Sequence, residues 1–92
     1  MSASLDRSVR VGKDVVFREL EGEAVVLNLE TGVYFGLDTV GTRIWQFCRD
    51  NGSLRTVWQA MQREFDAPAD ELQADLLAFV DELSSRGLVT LQ

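Results

Sequence analysis

Residues 24–38 run Ala24-Val25-Val26-Leu27-Asn28-Leu29-Glu30-Thr31-Gly32-Val33-Tyr34-Phe35-Gly36-Leu37-Asp38. Val25, Leu27 and Leu29 recur at period two, the spacing of one face of a strand, and alternate with Ala24, Val26 and Asn28. Glu30-Thr31-Gly32 is a short loop whose glycine can take the positive φ that closes a hairpin. Residues 33–37 then make a further strand. Upstream, residues 15–20 are rich in β-branched and aromatic side chains and stop at Glu21-Gly22. Two short turns therefore join three successive strands into an antiparallel meander, with the third strand at an open edge. Val25, Leu27 and Leu29 are expected to face the helices.

At Asp38 the period becomes helical. Asp38 or Thr39 can cap a helix carrying Val40, Ile44, Phe47 and Cys48 at spacings of three and four, and Asp50-Asn51-Gly52 ends it. Ser53 caps a second helix, with Leu54, Val57, Trp58, Met61 and Phe65 as its stripe. Pro68 suits the first position of a third helix, where a missing N–H costs nothing. There Leu72, Leu76, Phe79 and Leu83 fall on one narrow arc, the expected core stripe, with Leu77 and Val80 on its flank. Gly87 suits the residue just past the helix end, and a short extended piece follows at 89–91. The fold class is α+β and winged-helix-like: a three-stranded antiparallel sheet followed by a three-helix bundle. Residues 1–13 are expected to form a flexible arm with a short extended piece near Val9–Val11, leaving residues 14–92 as a single domain.

Composition narrows the function. Ninety-two residues suffice for one domain. Histidine is absent and Cys48 is the single cysteine, which removes His-based metal sites, Cys–His nucleophiles and Ser–His–Asp triads. A buried, inert thiol is the expected state of Cys48. Asp14, Glu19, Glu21 and Glu23 around the first hairpin are ordinary solvated charges. No Gly-rich phosphate loop occurs, and Trp45 and Trp58 fit the core better than a ligand platform. Neither cofactor nor metal is expected, and no enzymatic activity. The longest apolar run, Leu76 to Val80, is too short to cross a membrane, and the N-terminus carries no apolar signal segment. The cytoplasm is the expected compartment. The net charge of −6 has the wrong sign for nucleic acid. What remains is a module that binds a partner.

The sheet is apolar on both faces: Val16 and Leu20 alternate with Val15 and Phe17, and Tyr34 alternates with Phe35. A small sheet with one wet face should be more polar on that side. If the third strand is open beside Leu77 and Val80, the two walls make a groove that accepts an extended peptide by strand addition.

The ordered set Leu27-Asn28, Thr31-Gly32, Tyr34, Leu37-Asp38, Gly41 and Ile44-Trp45 resembles the L-N-x-x-T-G-x-Y-x-x-L-[ND]-x-x-G-x-x-I-W signature of the PqqD-like family. Asp75, Phe79, Leu83 and Gly87-Leu88 match its D-x-x-x-F-x-x-x-L-x-x-x-G-L ending. Asp38 stands where asparagine is common, and either residue can cap. The resemblance implies a peptide-recognition protein of ribosomal-peptide biosynthesis. Such a protein binds a precursor's leader as a fourth strand and presents it to a modifying enzyme, a radical S-adenosylmethionine enzyme in the founding pyrroloquinoline quinone pathway. Carried over by position, the strand wall is Val33, Tyr34, Phe35, Gly36 and Leu37, and the helix wall Asp75, Leu76, Leu77, Phe79 and Val80.

Two alternatives stand beside this reading. A winged-helix DNA binder would need a basic recognition helix, yet residues 68–86 carry Asp70, Glu71, Asp75, Asp81 and Glu82 against Arg86 alone. An open edge strand is also a self-pairing site, which makes a homodimer the other alternative.

Overall fold

Short turns force the three apolar runs to pair in sequence order. The computed structural model of the protein describes residues 3–21 and 23–92. Gly22, expected in the first turn, lies outside the described residues. A short strand β1 (Val9–Val11) is followed by β2 (Val15–Leu20), β3 (Glu23–Asn28) and β4 (Tyr34–Leu37). Helices α1 (Thr39–Asn51), α2 (Leu54–Glu64) and α3 (Ala69–Ser85) come next, then β5 (Val89–Leu91). Strands β2, β3 and β4 form the expected antiparallel sheet in that order, Phe17 opposite Val26 and Val26 opposite Phe35.

The face of this sheet that meets the helices is the reverse of the expected one. Ala24, Val26 and Leu37 are buried, whereas Val25 and Leu29 are exposed and Leu27 is half-buried. Because residues 24–27 are apolar at both parities, period two alone could not choose. Cross-strand packing chooses instead: Phe17, on the same face as Val26, stacks on the buried Trp45 ring of α1, with centroids 6.3 Å apart and planes 7° from parallel.

Helix boundaries follow their caps. The Asp38 carboxylate accepts from the Gly41 N–H at 2.7 Å, and Ser53 Oγ accepts from the Thr56 N–H. Pro68 sits one place earlier than expected, as the N-cap with extended ψ. At the far end of α3 the Leu88 N–H donates to the Leu83 carbonyl and the Gly87 N–H to that of Ser84, with Gly87 at φ 73°. This pair of bonds is the Schellman arrangement, and it turns Leu88 back onto the core, where it is fully buried.

The flexible arm expected for residues 1–13 is, from Ala3 on, built into the fold. β1 pairs antiparallel with β5, Val9 is buried, and the Ala3 N–H donates to Asp81 Oδ1 at 2.7 Å. Main-chain bonds from Val9 to Gly52 and from Leu54 to Arg7 tie the segment to the α1–α2 turn as well. A three-residue strand whose partner lies some eighty residues away leaves no periodic signal.

Cys48 is buried, as expected, and burial pushes its thiol up to about 12. In the unfolded chain the thiol ionises near 9.0. Between these values the folded protein keeps a proton that the unfolded chain releases. Stability therefore falls as pH rises from about 9 toward 12. Urea midpoints across that range should drop more steeply for the wild type than for Cys48→Ala.

Candidate functional site

Asn28 organises the turn that aims β4. Its Oδ1 accepts from the N–H groups of Glu30 at 2.9 Å and Thr31 at 3.2 Å. Thr31 Oγ1 in turn accepts from the Val33 N–H, and Gly32 adopts φ 77°, so the chain reverses within a few residues. Asn28 Nδ2 also donates to the Gly87 carbonyl at 3.0 Å, which fastens the hairpin to the end of α3. Asn28→Ala should cost about 1–2 kcal/mol by urea denaturation, since one side chain holds three bonds that solvent partly replaces.

The hydrogen-bond register then decides which groups of β4 stay free. The Asn28 N–H donates to the Val33 carbonyl at 2.9 Å, so that pair is hydrogen-bonded. Alternation makes Val26–Phe35 and Ala24–Leu37 hydrogen-bonded too, and leaves Leu27–Tyr34 and Val25–Gly36 without bonds between them. The N–H and C=O groups of Tyr34 and Gly36 therefore point out of the sheet. Among the described residues β4 has only β3 beside it, and β5 pairs with β1 instead of covering this edge. The other edge, β2, is open as well, with the main-chain N–H and C=O groups of Phe17 and Glu19 pointing away from β3 by the same reasoning from the Leu29 N–H to Asp14 carbonyl bond. It differs in carrying Arg18 and Glu19, charges of the kind that discourage strand pairing. β4 carries none.

A groove runs beside the β4 edge, with a volume of about 420 Å³. Phe35, Gly36 and Leu37 form one wall, Asp75 and Phe79 of α3 the other, and the start of α1 the floor through Asp38, Val40, Gly41 and Ile44. The Phe35 and Phe79 rings meet with centroids 6.4 Å apart and planes tilted by 54°. The Arg86 guanidinium covers Phe35, 4.8 Å from its centroid, and is itself held by Glu82 at 2.7 Å. A Cβ at Gly41 would stand 3.2 Å from the capping Asp38 Oδ1 and in contact with Phe79 and Leu37, so glycine leaves room on the floor. The lining is mostly apolar, with the Asp38 and Asp75 carboxylates in its walls. Among the described residues no group of His, Cys, Asp or Glu could hold a metal ion, and no helix is long and apolar enough to cross a membrane.

Of the ten residues singled out by the sequence, Phe35, Gly36, Leu37, Asp75 and Phe79 come together here. Tyr34 offers main chain to the edge while its ring lies on the opposite face of the sheet. Val33 is half-buried in the turn just before β4. Leu76 and Val80 are fully buried beneath α3, each 0% exposed, and form no wall. Leu77 precedes Phe79 by two residues, about 200° around the helix, and does not line the groove. The core stripe is thus Leu72, Leu76, Val80 and Leu83, and Phe79 is the flank residue that Val80 was expected to be. Sequence reasoning missed Val40, Ile44 and Arg86. The first two were legible, because a helix starting one residue after an edge strand must place its first turns beside that edge.

The family described as coenzyme PQQ synthesis protein D (PqqD) matches residues 23–89. Among solved structures, TbiB1 in complex with the TbiA(beta) leader peptide is similar with a TM-score of 0.81 at 31% identity, over 87% of this chain and 93% of that one. A lasso peptide synthetase B1 complexed with the leader peptide gives a TM-score of 0.79 at 22% identity, over 90% of this chain and 98% of the other; at that identity the likeness is one of fold. No curated protein sequence matches the chain.

Proposed function

This chain belongs to the PqqD family, and on that premise we propose that it binds the leader of a ribosomally made precursor peptide as a fourth strand beside β4. The single observation that carries the reading is an uncharged, unpaired edge lying against an apolar groove. The open N–H and C=O groups of Tyr34 and Gly36 supply up to four main-chain bonds, each worth about 1 kcal/mol net. A guest strand's side chains alternate, so one set enters the groove against Phe35 and Phe79 and the other points to the far face of the sheet. Ordering a free leader costs several kcal/mol, and the aromatic anchors supply what the ladder alone does not.

In this reading the chain acts by binding, and the chemistry belongs to a modifying enzyme that receives the peptide. That enzyme is of the radical S-adenosylmethionine class where the pathway is of the pyrroloquinoline quinone type. The test is fluorescence polarisation with two labelled peptides, the TbiA(beta) leader and the leader of the precursor encoded beside this chain. Saturable binding of either peptide supports the proposal. Absence of binding by both, with a concentration-dependent dimer in light scattering, would assign the edge to self-pairing.

A further inference from the structure

Strand pairing by itself does not read sequence. The N–H and C=O groups of Tyr34 and Gly36 offer the same bonds to any extended chain, so a guest that slides by two residues loses nothing in the ladder. Side chains must set the register, and the α3 wall of the groove is asymmetric in a way that does so.

The end of α3 lies over the β3–β4 turn, where Asn28 Nδ2 holds the Gly87 carbonyl at 3.0 Å. Back along the helix from there, Arg86 covers Phe35 and Phe79 meets the same ring. Asp75 follows one turn further on, at the end of the groove that Leu37 and the start of α1 close. The wall thus presents a cation, an aromatic ring and a carboxylate in that order. Its spacing fits a strand. Four helical residues, from Phe79 back to Asp75, span about 6 Å. Two residues of a strand span about 6.7 Å. Successive groove-facing side chains of a guest therefore meet first Phe79 and then Asp75.

The charges at the two ends are not equivalent. Arg86 already has a counterion in Glu82, 2.7 Å away. Asp38, the other carboxylate of the groove, has its Oδ1 engaged by the Gly41 N–H. Asp75 is exposed, and among the described residues no lysine or arginine lies within ion-pair distance of it. It is the carboxylate left for a guest.

We propose that Asp75 sets the register of the leader by pairing with a lysine or arginine two residues away from the apolar side chain that packs on Phe35 and Phe79. The inference rests on the leader-binding function proposed above and names the class of leader: an apolar anchor with a basic residue two places from it, on the Leu37 side. Sliding by two residues in one direction brings that cation under the Arg86 guanidinium. Sliding in the other lays the apolar anchor against the Asp75 carboxylate. Both mismatches are penalties, so the groove rejects wrong registers as well as favouring the right one.

The test uses the leader that binds in the polarisation assay above, with each residue replaced in turn by lysine and by glutamate. The whole chain, at −6, attracts every lysine peptide alike, whereas pairing with Asp75 singles out one position. At that position lysine should bind at least fivefold tighter than glutamate, and the anchor, where either charge costs most, should lie two residues away. Asp75→Asn should bring the ratio to within twofold of that at the other positions. Asp75→Lys should reverse it, a rescue of the glutamate peptide that a misfolded variant does not produce. Both substitutions are at an exposed position, and circular dichroism checks the fold. A lysine-to-glutamate ratio that is equal along the whole leader, or a preferred position that persists in Asp75→Asn, would overturn the inference alone. Absence of binding by both leaders overturns the leader function and this inference with it.

Discussion

Gly36→Pro should weaken leader binding at least tenfold while leaving the protein folded. Proline removes the Gly36 N–H, one of the donors aimed at the guest strand, and sets a ring where that strand would lie. β3 does not use this N–H, because Val25 and Gly36 face each other as a non-hydrogen-bonded pair. Gly36 is not among the positive-φ residues, so proline, with its negative φ, does not have to reverse the backbone there. A tenfold loss corresponds to about 1.4 kcal/mol. Gly36→Ala is the matched control: its Cβ would meet nothing within 4 Å, the main-chain groups are unchanged, and binding should stay within threefold. Polarisation titrations of the two variants, with thermal melts alongside, separate main-chain recognition from a side-chain effect.

The second large effect is on stability. Val80 is fully buried between α3 and the rest of the core. Val80→Asp removes packed methyl groups and buries a carboxyl without a partner, a combined cost of roughly 5 kcal/mol or more. That is comparable with the whole folding free energy of a domain of this size. The variant should be unfolded, or nearly so, by circular dichroism at 25 °C. Leu77→Asp, three residues earlier on the other flank, should cost only about 1–2 kcal/mol and leave leader binding unchanged. The contrast separates residues that build α3 into the core from those that line the groove beside β4, as Phe79 and Asp75 do on this helix.

The limits of the sequence are visible in these same residues. Strands and helices were legible because their punctuation is chemical: Asp38 and Ser53 can each accept from a first-turn amide, and Gly32 and Gly87 take backbone angles that other residues resist. The strand wall was legible through Asn28, Thr31 and Gly32, whose hydrogen bonds aim β4. Which face of β3 is buried was not, since Val25 and Val26 are equally apolar and a one-residue change of parity exchanges the faces. On α3 the expected arc included Phe79 and left Val80 at the flank, and packing rotated it by one position. Phe79 turns toward Phe35, a contact between residues 44 positions apart that helical periodicity does not record. The pairing of β1 with β5 escaped for the same reason.

Amide hydrogen exchange, followed by NMR on the labelled protein with and without saturating leader peptide, tests the central claim most directly. The Tyr34 and Gly36 amides should exchange freely in the unbound protein and become protected on binding, while those of Phe17 and Glu19 on the opposite edge do not change. Protection confined to Phe17 and Glu19, or leader binding that leaves Tyr34 and Gly36 exchanging as before, would contradict it.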